Sequence, residues 1–268
     1  MAALQKYIFE LCQRWGKAIL PCICVFTLLF LGGCNPQQFL NQAPSDFEAQ
    51  VLQVIRDNPE VLLESVQNYQ QQQQQQQEDQ QQQAVSQVGQ QLRTNPDPII
   101  GNSPQRGSKD KRLVLLEFSD FQCPFCARAH TTVQRFMDAY GQDVTLVYKH
   151  LPLSTIHPQA LPAAKAAWAA YQQGKFWEFH DALFTNQKRL GDEFYLETAE
   201  RLQLDINQFN RDRNSRAADA AITADLQLAE QLGLGGTPFF LLNDIPISGA
   251  RPLQDFENAL SEAKRKLG

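Results

Sequence analysis

Apolar residues fall along this chain in two patterns, short unbroken runs and stripes at helical spacing, and each predicts a different element. The run Leu113–Phe118 has the length and composition of a buried strand. Val144–Tyr148, Phe239–Leu242 and Ile245–Ser248 read the same way, the last two separated by a turn at Asn243-Asp244. Between the first two runs, Ala127, Ala129, Val133, Phe136, Met137 and Tyr140 form a helical stripe that Gly141 stops. From Pro158 to Gly233 the pattern is helical throughout, in segments 160–171, 176–184, 194–202, one opening at Ile206, and 217–232. Pro252 to Leu267 gives a last amphipathic helix. Helices at about 158–233 between two strands predict an insertion in a smaller α/β fold.

The N-terminal pattern is different. Ala18 to Leu31, about 14 residues, is almost wholly apolar and follows the basic residues Arg14 and Lys17. A membrane-spanning helix needs about 20 residues, so the run fits the apolar region of a secretory signal better than a span. It ends in Leu31-Gly32-Gly33-Cys34, which resembles a bacterial lipobox, with Cys34 as the lipidated new N-terminus. The alternatives are an uncleaved anchor, or an ordinary signal with a chance cysteine. The expected organisation is a signal peptide at 1–33, then a tether, helices and Gln-rich spacer at 34–108. A catalytic domain follows at 109–268.

Within 34–108, Ser45-Asp46-Phe47-Glu48 has the form of a capping box. Phe47, Val51, Leu52, Val54 and Ile55 give the helix behind it an apolar side. Asn58-Pro59 opens a second helix with Val61, Leu62, Val66 and Tyr69 on its face. Eight glutamines, Gln70 to Gln77, and four more, Gln80 to Gln83, follow with nothing to bury. Val85, Val88 and Leu92 lie two residues out of the heptad register set by Leu62, Val66 and Tyr69, so no continuous coiled-coil seam is expected. The expected role is a solvated spacer, with oligomerisation through residues 45–69 as the alternative. Asn95-Pro96-Asp97-Pro98 and the Gly/Ser/Pro-rich stretch 101–108 read as the linker into the catalytic domain.

Net charge is −5, and −7 once the signal is removed, which argues against nucleic acid. Of six cysteines, Cys12, Cys22 and Cys24 leave with the signal and Cys34 takes the lipid, so Cys123 and Cys126 remain. Export would place that pair where disulfides persist. Cys123-Pro124-Phe125-Cys126 sits between the first strand and its helix, with Pro124 suited to the first turn. Unpaired N–H groups and the helix dipole favour a negative charge there, so a cysteine at that spot is more thiolate than a free one. The thiolate attacks in disulfide exchange, and Cys126, one turn on, can resolve the mixed disulfide. Half a zinc site and an inert bridge are the competing readings. No second cysteine pair completes a zinc set, and so short a loop gains little from cross-linking.

The segment 117–126 (Glu-Phe-Ser-Asp-Phe-Gln-Cys-Pro-Phe-Cys) resembles the active-site segment of DsbA-type thioredoxin-fold proteins. The resemblance continues through 147–153 and 174–181 and ends with Gly235-Gly236-Thr237-Pro238, covering about residues 110–266. It implies a thioredoxin-like α/β fold with a helical insertion and a protein thiol:disulfide oxidoreductase. Cys123 would attack and Cys126 resolve, with Pro124 and Phe125 completing the active-site loop. It also implies that Pro238 is cis and lies against the Cys-x-x-Cys, with Thr237 offering backbone hydrogen bonds to an extended substrate. Glu117 stands where the family has an acid. Burial would raise its pKa, which suits it to exchange a proton with Cys126 through water. No metal or organic cofactor is implied.

Expected partners are cysteine-containing exported polypeptides and a quinone-linked membrane thiol oxidase, outside the cytoplasm and anchored through Cys34. Isomerisation or reduction is the alternative direction. Phe125 replaces the histidine of strongly oxidising members, and Thr precedes Pro238 as in several isomerases. A non-catalytic envelope lipoprotein that binds partners is the reading from another class. His150 and His157 are expected to do ordinary packing or surface work.

Overall fold

The structure, a computed structural model, describes residues 46–267. Cys34 and residues 1–33, read as a signal peptide, lie outside the described residues. The chain divides into two compact units, one ending at Gln70 and one running from Gln71. In the first, α1 (Asp46–Asp57) carries acids in its first turn and Arg56 in its last, as the helix dipole favours. It buries none of its residues. Phe47, Val54, Leu63 and Tyr69 are all more than half exposed. The helix opened by Pro59 runs unbroken to Thr94 as α2, so the glutamine tract is helical throughout.

The second unit is built on a five-stranded sheet in the order β1-β3-β2-β4-β5. β2 (Leu113–Ser119) and β3 (Val144–His150) are parallel at its centre, paired from Leu113↔Val144 to Ser119↔His150. Both are buried along their whole length because both sheet faces are covered. β4 (Phe239–Leu242) joins β2 antiparallel, and β5 (Ile245–Ser248) forms the far edge. β1 (Gln105–Gly107) pairs antiparallel with β3 through Gln105↔Val147 and Gly107↔Thr145. The sheet therefore begins inside the stretch read as a linker. Three residues without an apolar run carry no strand signal, and only the unpaired edge of β3 makes them one.

One face of the sheet is covered by α4 (Pro124–Tyr140) and α10 (Leu253–Leu267), which meet Leu115, Leu146, Phe240 and Leu242 through Val133, Phe136, Phe256 and Leu260. The helical block between β3 and β4 comprises α5 (Ala160–Gln172), α6 (Phe176–Thr185), α7 (Asp192–Arg201), α8 (Ile206–Arg213) and α9 (Arg216–Gln231). Its alanines pack against Phe179, Tyr195 and Phe209, and this cluster also contains Phe121, Cys123 and Cys126. The cysteine pair thus lies where the insertion joins the sheet. Buried Lys149 ties the other face together, 3.1 Å from Asp225 of α9 and 2.8 Å from Ser103. It also reaches the Ile100 carbonyl of the short helix α3 (Asp97–Ile100).

The end of α2 is not a solvated spacer. Val85, Val88 and Leu92 are buried with Val114, Leu116, Phe118 and Leu241. The two-residue change of register therefore marks where the helix begins to cover a sheet. Gly89 permits the approach, because a Cβ there would fall 2.3 Å from Asp244 Cβ and 2.6 Å from its Cα. Arg93 adds an ion pair to Asp244 at 2.8 Å. Gly89→Val must push backbone apart, so a loss of roughly 2 kcal/mol or more is expected, read as a lower Tm in thermal unfolding. Gly141 likewise ends α4 by proximity, at φ −64° and with a Cβ position 2.5 Å from the Met137 carbonyl oxygen. The left-handed cap is not used.

Candidate active site

The turn that delivers the cysteines is organised by Asp120, fully buried at the end of β2. Its Oδ1 accepts the Gln122 N–H at 2.8 Å, and its Oδ2 accepts the Leu153 N–H at 3.0 Å and meets His157 Nδ1 at 2.7 Å. Its carbonyl accepts the Cys123 N–H at 3.1 Å. Gln187 Nε2 donates to the carbonyls of Phe121 (2.9 Å) and Cys123 (2.8 Å) from across the insertion. His157 is thus held against Asp120 in the turn, where its loop setting had suggested ordinary packing or surface work. Neither Asp120 nor Gln187 stood out in the sequence.

Cys123 caps α4 with extended dihedrals and Pro124 takes the first helical position. Both cysteines are buried, but Cys123 keeps 4% of its surface exposed and Cys126 none, so of the two only Cys123 reaches the surface. Both are free thiols here. A hydrogen bond from Cys126 holds the Cys123 pKa down to about 5. Thr237 and the backbone N–H groups of Cys126 and Phe125 add to this against the cost of burial. Cys126 moves the opposite way, pushed well above the ordinary thiol range first by burial and then by its pairing with Cys123. The Asp120 N–H points at its sulfur from 3.5 Å. Phe125 is half exposed, with the Arg128 guanidinium 4.3 Å over its ring.

The Thr237–Pro238 peptide is cis, and the Thr237 carbonyl oxygen lies 3.5 Å from Cys123 Sγ. The structure therefore gathers Cys123, Pro124, Phe125, Cys126, Thr237 and Pro238 at one place. Glu117 lies behind them on β2, 1% exposed. Burial raises its pKa to about 7, against the pull of His130, Arg106 and Ser119. The buried Ser119 hydroxyl lies by both the Glu117 carboxyl and the Cys126 thiol. Residues 117 and 119 share a strand face, so this placement follows from the pleat, though the sequence reading singled out only the acid.

A second polar group sits beyond Glu117. Asp181 Oδ1 is 2.9 Å from His130 Nε2 and 2.8 Å from His180 Nδ1. These three residues bring ligand-type atoms within 4.8 Å of one another. The single carboxylate oxygen already bridges both imidazoles, and aromatic rings of Phe121, Phe184 and Trp177 enclose them. The two histidines lie on separate helices, α4 and α6, which is why the sequence did not associate them. His150 is buried against Phe121, Tyr148 and Phe176, rings that also touch His180. Burial, with smaller contributions from His180 and Lys149, lowers its pKa to about 3.

A thiol at a helix start, a second thiol buried behind it and a cis-proline loop alongside, on this sheet, form a site of the thioredoxin type. The chain belongs to the DSBA-like thioredoxin domain family, whose profile matches residues 114–261. It is 33% identical to a thioredoxin-like oxidoreductase from Silicibacter pomeroyi DSS-3, with a TM-score of 0.59 over 64% of this chain and 99% of that one. Proteus mirabilis ScsC in a transitional conformation shares the fold at 24% identity and a TM-score of 0.57, over 82% of this chain and 96% of that one. The thiol-disulfide exchange protein alpha-DsbA2 from Wolbachia pipientis shares it at 22% identity and a TM-score of 0.59, over 68% and 95%. Among curated relatives, Na(+)/H(+) antiporter NhaA 3 of Salinispora tropica is 38% identical over 138 residues, 52% of this chain and 21% of that one. The chain spans about a fifth to a quarter of the length of the curated relatives it matches.

Proposed function

We propose that this protein is a thiol:disulfide oxidoreductase that oxidises cysteine pairs in exported polypeptides. The observation that carries the reading is the contrast between the two sulfurs, one accessible with a pKa lowered to about 5, the other buried with a raised pKa. A stabilised thiolate favours the reduced pair and so makes the disulfide a stronger oxidant.

In the reaction, a client thiolate attacks Cys123 Sγ of the Cys123–Cys126 disulfide, and Cys126 leaves as a thiolate that takes up a proton. The client's second thiolate then attacks its own mixed-disulfide sulfur and releases Cys123. The client gains a disulfide, and its two electrons reside on the protein's pair. Re-oxidation passes them to a quinone-linked membrane thiol oxidase. Glu117 handles the Cys126 proton, and Thr237 pairs with the backbone of the client. The site lies outside the cytoplasm, held at a membrane by lipid on Cys34. No helix among the described residues is long and apolar enough to cross a membrane.

Isomerisation or reduction is the second reading. It is favoured by Phe125, an apolar ring where a histidine would stabilise the thiolate further, and by the exposed apolar residues of 45–69, which suit assembly of several copies. Iodoacetamide alkylation of Cys123 is expected to titrate with a midpoint near pH 5, together with a reduction potential above that of glutathione. A midpoint near the free-thiol value of about 8.5 would remove the basis for the oxidase. A normal midpoint with a potential below glutathione would favour the reductase.

A further inference from the structure

The cis-proline loop forms one side of a groove whose other side is the glutamine-tract helix. The groove encloses about 780 Å³, with Gln82, Val85 and Ser86 of α2 facing Gly235 and Thr237 of the loop and Pro246 of β5 nearby. Its size falls within the range of about 300–1,000 Å³ usual for ligand clefts. We propose that it seats the extended polypeptide segment next to the client cysteine, so that α2 acts as a wall of the substrate site. This rests on the thiol-exchange reading above and assigns a purpose to the glutamine-rich helix.

Continuity comes first. Thr237 lines the groove, and its carbonyl oxygen is 3.5 Å from Cys123 Sγ. A client whose sulfur bonds to Cys123 and whose backbone follows the loop runs its next residues into the groove. Length agrees: the α2 wall from Glu78 to Ser86 covers about 12 Å at about 1.5 Å per helical residue. Four extended residues at about 3.3 Å each need the same distance.

The lining chemistry points to backbone recognition. Gln82 and Ser86 are exposed. A glutamine amide both donates and accepts, and so does a serine hydroxyl, which matches the alternating N–H and C=O groups of an extended chain. Gly235 and Gly236 have no atom within 4 Å of where a Cβ would stand, leaving that stretch of backbone open to a partner. The site therefore suits unfolded clients of varied sequence. Glu78 on the rim disfavours acidic ones, since Lys266, the cation there, is paired with Asp244 and Glu262.

The wall is also fixed in place. Gln81 Nε2 donates to the carbonyls of Leu232 (3.3 Å) and Gly233 (3.4 Å), just ahead of the loop, and Gly89 seats the helix on Asp244. A groove held this way on both sides needs no ordering when the client arrives, which keeps the cost of binding low.

The test compares two reductants of the oxidised full-length protein by stopped-flow tryptophan fluorescence. One is a reduced ten-residue peptide with two cysteines in a Gly/Ser/Lys background, and the other is dithiothreitol, which is too small to reach α2. Either one gives up two electrons and two protons and becomes a disulfide as Cys123 and Cys126 become thiols. Ser86→Trp fills the groove from an exposed helix position, and the ratio of peptide to dithiothreitol rate constants should fall about tenfold, read as a change in kcat/KM. The double truncation Gln82→Ala/Ser86→Ala, which adds no bulk, should lower it about threefold. An unchanged ratio in both variants overturns the groove proposal while leaving the redox reading intact. A wild-type disulfide that neither reductant opens overturns the redox reading itself.

Discussion

Cys126→Ser is expected to turn the protein into a trap that accumulates mixed disulfides with its clients through Cys123. The Cys123 thiolate keeps its place at the helix start and still opens client disulfides, but the protein has no second thiol to resolve the mixed disulfide that results. Non-reducing electrophoresis should show new high-mass species that dithiothreitol removes. Cys123→Ser is expected to lower exchange by about a thousandfold or more, the order that follows loss of a covalent nucleophile, and to form no such species, because Cys126 is fully buried. The asymmetry is the informative part. If Cys123→Ser trapped clients as readily as Cys126→Ser, the buried sulfur would be reachable and the assignment of roles would fail. If Cys123→Ser left the protein's cellular function unchanged, the role of a non-catalytic binding lipoprotein would be favoured instead.

Much of this site was readable because its parts lie in runs of strong local pattern. An apolar strand and a Cys-Pro-x-Cys at a helix start follow from local chemistry and the helical insertion from periodicity, whereas the place of Thr237-Pro238 beside the cysteines was implied only by the family resemblance. What the sequence hid depends on long-range pairing. β1 is three residues long and exists because β3 had an unpaired edge. The packing of Val85, Val88 and Leu92 needs a sheet to cover, so from the chain alone the helix looked solvated. The His130–Asp181–His180 contact joins two helices about fifty positions apart. The acid at Glu117 was legible from its apolar neighbours, whereas the hydroxyl beside it at Ser119 was not, since a serine at a strand end has no distinctive signal.

In the reverse direction, where the Cys123 thiolate opens a client disulfide and Cys126 then attacks the mixed disulfide, Glu117→Gln is expected to slow that second step by about a hundredfold, the lower end of what a positioned general base contributes. The first attack, by Cys123 on the client disulfide, moves no Cys126 proton and should hardly change. The reason is the position of the two thiols: the outer one is ionised near pH 7, while the buried one must lose its proton before it can attack. Glu117, with a pKa raised to about 7, sits at the midpoint where it can accept that proton and return it. In the wild type the resolving rate should rise with pH through about 7, and the variant should lack that inflection. Stability gives a second, independent reading. The folded pKa of about 7 exceeds the ordinary 4.5, so the folded state binds more protons than the unfolded one between those values. Stability from this group is therefore complete below pH 4.5 and is lost as pH rises to about 7. The loss amounts to roughly 3 kcal/mol at about 1.4 kcal/mol per pKa unit. Glutamine cannot ionise, so the variant should be more stable than the wild type at pH 8 and lose its advantage toward pH 4 in denaturant titrations. A variant that resolves mixed disulfides at the wild-type rate, while showing this stability profile, would make Glu117 a buried acid without a part in the exchange.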